Sequence, residues 1–240
     1  MGKFAGAALA AMVMLVVFSQ RSDAQEPQQL IYGLKFEQLE YRFGDQTDVT
    51  AWDGDLWVGT DEWKFRGTSE GEYAREGRSF ETLEHQLFVQ RMVSTFFDAK
   101  LGVRRDNPDE FASRTYGVVG VHGLAPQWFE IDADFFVSEN GDASARLAAD
   151  YELLLTNWII LTPTLELDFA FSDDKAAGVG SGFSKAEIGA RLSYDLIDRS
   201  LSPYIGVHYE RKFGETGRIA RSEGEGKADV FFAIGTRLMF

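Results

Sequence analysis

The sequence predicts an all-β fold, a transmembrane, antiparallel, up-and-down β-barrel of about twelve strands. Three observations predict it. The N-terminus carries a secretory leader, the hydrophobic period from Leu30 onward is two, and the connections between the resulting segments alternate between short and long.

The leader comes first. Lys3 supplies a positive charge, Phe4 to Phe18 is an unbroken run of apolar and small residues, and Ser22-Asp23-Ala24 is a small-x-small cleavage site. A run of about 15 residues is short for a membrane span and has the length of a secretory core. The expected organisation is a signal peptide over 1–24 and a barrel domain over 25–240. Beyond the leader no apolar run reaches the roughly 18 residues of a helical span.

The strands follow from strict alternation. At the C-terminus Val230, Phe232, Ile234, Thr236, Leu238 and Phe240 share one face, and Asp229, Phe231, Ala233, Gly235, Arg237 and Met239 share the other. Phe129, Ile131, Ala133, Phe135 and Val137 likewise oppose Glu130, Asp132 and Asp134, and Leu161, Leu165, Leu167 and Phe169 oppose Thr162, Thr164, Glu166 and Asp168. The pattern places strands at 30–43, 49–58, 62–71, 81–93, 97–105, 113–123, 128–138, 142–155, 158–171, 184–197, 203–213 and 228–240. Alternation alone also suits a soluble sandwich with its apolar face inside. The loops decide. Connections after even-numbered strands are short, as in Gly59-Thr60-Asp61 and Thr156-Asn157. Those after odd-numbered strands are mostly longer and polar, such as Glu72 to Phe80, Ser172 to Phe183 and Gly214 to Lys227, with Glu139-Asn140-Gly141 the short exception. A barrel with both termini on the periplasmic side has this phase.

Composition bounds the chemistry. Cysteine is absent, which removes disulfides, thiolate metal sites and thiol nucleophiles. A net charge of −14 argues against nucleic acid, which needs a basic footprint. Mean hydropathy is −0.20, the near-zero average of two alternating faces. No nucleotide-binding loop, histidine-pair zinc motif or nucleophile elbow occurs, and an enzyme is not expected.

Several motifs, in order, carry a family resemblance: Gln38-Leu39-Glu40-Tyr41-Arg42, Gly102-Val103-Arg104, the stretch Gly120 to Glu130, Phe136-Val137-Ser138-Glu139, Ala149 to Thr156, Gly180-Ser181-Gly182 and Glu210 to Gly214. Together they resemble the copper resistance protein B family, outer-membrane barrels of bacterial copper-tolerance systems, over about residues 30 to 240. The resemblance implies an outer-membrane location, contact with outer-membrane lipid, copper as the ion handled, and a periplasmic copper oxidase or copper-carrier protein as partner. Members commonly carry a Met- and His-rich segment ahead of the barrel. Here Gln25 to Gln29 holds neither residue, so copper ligands are sought on the strands.

Copper(I) favours thioether and imidazole, and copper(II) imidazole and carboxylate. His208 shares parity with Glu210 and Lys212 and is the first metal candidate, with lumen carboxylates as neighbours. Met239, in phase with Arg237, and Met92, in phase with Gln90, come second. His122, beside the Gly123 turn, comes third, its facing undecided by parity. His85 is expected to point outward. Parity also assigns the lumen more acidic than basic groups, among them Asp53, Asp55, Glu84, Asp132, Asp134, Glu187 and Asp195 against Arg66, Lys100, Arg104, Arg146 and Arg191. Buried charges must be paired or solvated, so the lumen is either a salt-bridged brace or a cation path. The expected function is a copper-tolerance barrel that binds or passes copper, with a narrow general channel or a structural barrel as the alternative. The tryptophans, mostly near strand ends, are expected to form interfacial girdles.

Overall fold

The computed structural model describes residues 29–240 except 46, 223 and 225. The signal peptide expected over 1–24 lies outside the described residues.

The strands are β1 (Ile31–Gly44), β2 (Val49–Gly59), β3 (Trp63–Ala74), β4 (Ser79–Met92), β5 (Phe97–Asp106), β6 (Arg114–Ala125), β7 (Phe129–Ser138), β8 (Ala143–Asp150), β9 (Leu153–Leu154), β10 (Ile159–Ala170), β11 (Gly182–Tyr194), β12 (Leu201–Lys212) and β13 (Ala228–Met239). β8 and β9 are two pieces of one stave, interrupted at Tyr151 and Glu152, and both pair with β10. Every stave is antiparallel to its sequence neighbours, and β13 pairs with β1. The result is a closed twelve-stave barrel with no free sheet edge, which lipid requires. The last residue helps seal it: the Phe240 N–H donates to the Leu34 carbonyl at 2.8 Å, and the Leu34 N–H donates to the Phe240 carbonyl at 3.0 Å.

Alternation builds the two faces as expected. Leu56, Phe65, Leu87, Leu101, Ile188, Ile205 and Phe232 are exposed on the outside, and the inward positions carry the charges. Trp63, Trp128 and Trp158 are exposed at the short turns, where amphipathic rings anchor a barrel at the interface. Trp57 departs from that expectation. It shares the inward parity of Asp55 and packs over Gly33, its cross-strand partner.

The connections keep the predicted phase, with one difference. The outer loop expected over Glu72 to Phe80 shrinks to a turn at 75–78. β3 and β4 run past the predicted ends because Tyr73 and Phe80 stack edge-to-face across the hairpin at 5.1 Å, and Arg78 takes the left-handed position at φ 53° that a tight hairpin needs.

The remaining outer loops fold over the mouth. Helix α1 (Thr216–Ser222) buries Thr216, Gly217 and Ala220. The Thr216 hydroxyl accepts from the Gly180 N–H at 3.0 Å, tying α1 to the loop after β10. Arg114 clamps the same loop, donating to Asp174 at 2.6 and 2.9 Å, and the Ala112 N–H donates to the Ala176 carbonyl at 2.8 Å. Asp174 lies outside the membrane strands, and the Arg114 hydrogen bonds hold its carboxyl below the usual range.

Candidate functional site

The lumen holds ionised groups at closer range than strand parity alone can specify. Glu40, whose side chain is fully buried, is its most saturated group. It accepts from Arg191 Nε and Nη2, both at 2.9 Å, from Arg42 Nε at 2.6 Å and from the Tyr204 hydroxyl at 2.8 Å. Arg191 stands on β11 and Tyr204 on β12, so this hub binds β1 to staves on the far side of the closure seam. Arg42 also pairs with Glu72 and donates to Gln38 at 3.0 Å.

A second brace crosses the lumen. Arg146 on β8 lies 3.3 Å from Glu84 on β4, 2.9 Å from Asp168 and 3.1 Å from Glu166. Glu84 also takes Arg104 at 2.7 Å, and the Arg104 guanidinium stacks on Phe136 at 4.7 Å and Tyr116 at 5.3 Å. Cation–π contact lets a guanidinium leave bulk water at lower cost. Glu84 and Arg146 line both an outer cavity of about 250 Å³ and an inner one of about 260 Å³, which places this brace between the two. The outer cavity has nine carboxylates against five basic groups and the inner nine against six. Acidic side chains outnumber basic ones in both.

The sequence-predicted metal candidates fall in three places. His208 faces the lumen as expected and is buried, 4% exposed. Neither ring nitrogen has a hydrogen-bond partner. Glu187 Oε2 lies 3.4 Å from Nε2, outside hydrogen-bonding geometry, and the Phe231 ring packs beside the imidazole at 6.2 Å. Glu210, which shares its parity, faces Asp229 across β12 and β13, and the register sets His208 opposite Gly189 and Phe231. His122, undecided by parity, points inward: Nδ1 bonds Asp132 at 2.7 Å and Nε2 lies 3.6 Å from Glu130. Lys100 competes for Asp132 at 2.6 Å. Met92 and Met239 sit exposed at the inner ends of β4 and β13, with β1, β2 and β3 between their strands. The fold brings none of the four together. Among the described residues no group of three His, Asp or Glu side chains is placed to hold a metal ion. His85 is exposed on the outside, as expected.

Parity reasoning missed the hub itself. Glu40 and Arg42 escape because β1 carries a bulge between Phe36 and Leu39, and a bulge shifts the inward set by one residue. Glu72 escapes because β3 was ended too early. Glu70 was missed as well, although its phase with Lys64 and Arg66 was the signal that could have found it. Asp195, assigned to the lumen wall, organises the inner turn instead, accepting from the Arg199 N–H at 2.7 Å.

The family model described as Copper resistance protein B precursor (CopB) matches residues 30–240. This chain belongs to that family. Copper resistance protein B of Escherichia coli is 38% identical over 209 residues, covering 87% of this chain and 69% of that protein. The copper resistance protein B homolog of Pseudomonas syringae pv. tomato (strain ATCC BAA-871 / DC3000) is 36% identical over 204 residues, covering 85% and 68%. Among solved structures, a KdgM porin superposes with a TM-score of 0.52 at 13% identity, covering 87% of this chain and 99% of that one. A NanC porin gives 0.50 at 15% identity, covering 86% and 98%. At such identity the porins speak to the fold alone. A CopB-family barrel with an apolar outer face and a charged lumen is an outer-membrane protein.

Proposed function

We propose that this CopB-family barrel binds or passes copper ions at the outer membrane through its lumen, with His208 as the principal ligand. The observation that carries the reading is the state of that imidazole: buried, facing the lumen, both nitrogens unpartnered, and a carboxylate 3.4 Å away. Buried polar groups in native proteins nearly always have partners, so an exception asks for one. Imidazole with carboxylate suits copper(II). Two ligands make a weak site, which suits an ion that must leave as well as enter. A periplasmic copper oxidase or copper carrier would meet the barrel at its short inner turns.

The Glu40 and Arg146 braces favour a second reading, a structural barrel that docks such a partner and passes nothing. Three measurements separate the two: copper titration of the refolded barrel, planar-bilayer conductance, and copper tolerance of cells carrying His208→Ala at equal membrane level. Passage through the lumen predicts weaker binding and lower tolerance in the variant. Unchanged binding and tolerance in a His208→Ala, Met239→Leu, Met92→Leu triple variant would remove copper from the lumen.

A further inference from the structure

The outside of the barrel carries two arginines that no carboxylate answers. Inside the lumen Arg66, Arg104, Arg146 and Arg191 each pair with a carboxylate. Arg105 and Arg211 face the other way. Arg105 continues the exposed row of Leu101 and Val103 at the outer end of β5, and Arg211 continues that of Ile205 and Val207 at the outer end of β12. Both are exposed, and among the described residues neither has an ion-pair partner.

Each guanidinium is nonetheless held in place. Arg105 Nε donates to the Asn107 side-chain oxygen at 3.0 Å and Nη1 to the Thr115 hydroxyl at 2.7 Å, both neutral acceptors. Glu139, beside Thr115, is engaged by the Thr115 N–H at 2.7 Å. The register sets His85 of β4 directly opposite Arg105, exposed on the same outer face, where its ring adds an N–H donor. Arg211 lies over the Phe213 ring at 5.1 Å. Phe213 ends an aromatic row, 4.6 Å from Phe183, which is itself 5.0 Å from Phe169.

A charge on the lipid side of a barrel costs most at the midplane and little at the headgroups. Both arginines stand at the outer ends of their strands, the level of the outer-leaflet phosphates. A guanidinium matches phosphate oxygens with two parallel N–H bonds, and the phenylalanine row beside Arg211 offers acyl chains an apolar shelf. Asn107 and Thr115 orient the Arg105 guanidinium without neutralising it, so its charge stays free for an anion from outside the chain.

We infer that Arg105, with His85, and Arg211 bind the phosphates of outer-leaflet lipid, the phosphorylated headgroup of lipopolysaccharide, on opposite sides of the barrel. The surface is separate from the lumen and independent of whether the barrel passes copper.

The test titrates the mature barrel, refolded in detergent, with lipopolysaccharide and reads the complex as a shift on native gels. Chelator is present throughout, so that no divalent ion bridges phosphate to carboxylate. The wild type is expected to shift, and Arg105→Gln combined with Arg211→Gln to need at least about tenfold more lipid, because the charge-assisted bonds to phosphate are lost. Arg218→Gln, which removes the same charge from the exposed side of α1, is expected to titrate like the wild type. Enzymatically dephosphorylated lipopolysaccharide is expected to bind the wild type no better than the double variant, and inorganic phosphate not to displace the lipid. Should the double variant not refold, each single substitution takes its place with an expected weakening of about threefold, the two sites being independent. A wild type that does not shift overturns the inference, as does a folded variant that titrates like it. Undiminished binding of the dephosphorylated lipid, or displacement by inorganic phosphate, overturns it equally.

Discussion

Replacing Glu40 by glutamine tests whether the lumen braces hold the barrel shut. The carboxylate accepts four hydrogen bonds, two from Arg191, one from Arg42 and one from Tyr204. Glutamine keeps one oxygen and presents an amide N–H₂ to two guanidinium groups that can only donate. At least two charge-assisted bonds are lost, each worth about 1.5–3 kcal/mol. The partners are nearly as buried as Glu40: the side chains of Arg42 and Arg191 are 5% and 9% exposed, so solvent screening does little to soften the loss. Breaking such a buried pair from one side costs about 3–5 kcal/mol, the destabilisation expected here. The assay is urea unfolding in lipid vesicles followed by tryptophan fluorescence. A double-mutant cycle with Arg191→Gln then isolates the pair. A loss under about 1 kcal/mol, or a cycle with no coupling, would refute the reasoning, because a hub that tolerates neutralisation is not bracing β1 against β11 and β12.

Further outcomes follow from the same structure. Deleting Phe240 removes both closing hydrogen bonds with Leu34 and is expected to lower the amount of barrel in the outer membrane, read by immunoblot of membrane fractions; an unchanged level counts against it. The mature chain is expected to fold only in detergent or lipid and to run as a heat-modifiable band on gels, and a monodisperse β-rich protein without detergent would contradict the exposed apolar face. Arg114→Ala is expected to free the loop after β10, speeding tryptic cleavage after Lys175 and hydrogen exchange at Ala112. The sign of the pH effect follows from Asp174, whose carboxyl is depressed by Arg114. A depressed acid stabilises above its unfolded value, near pH 4, and the contribution fades as pH falls through the folded value. Protection at Ala112 should therefore match at pH 5 and pH 7 in the wild type and be lower at both in the variant.

Most of the architecture was legible because a strand facing lipid on one side and ions on the other must alternate, and lipid permits no compromise at the outward positions. Each of the twelve predicted segments corresponds to a stave, and the inward facing of His208 followed from the same rule. Where local geometry breaks the period the reading stopped. The bulge in β1 hid Glu40 and Arg42, and the early end given to β3 hid Glu72. His122 sat too near a turn for parity to choose a side, and its bond to Asp132 settles it.

By itself the sequence determined the fold class, the strand order, the two faces of the barrel and the excess of acid inside. All of these depend on residues two apart on one strand, a relation the chain states outright. Which charges meet was decided only by the tertiary structure. Glu40 finds Arg191 across 151 residues, Glu84 finds Arg146 across 62, and Asp53 is set opposite Glu70. Those encounters depend on closure, stave register and the reach of long side chains across a narrow lumen, and no local pattern encodes them.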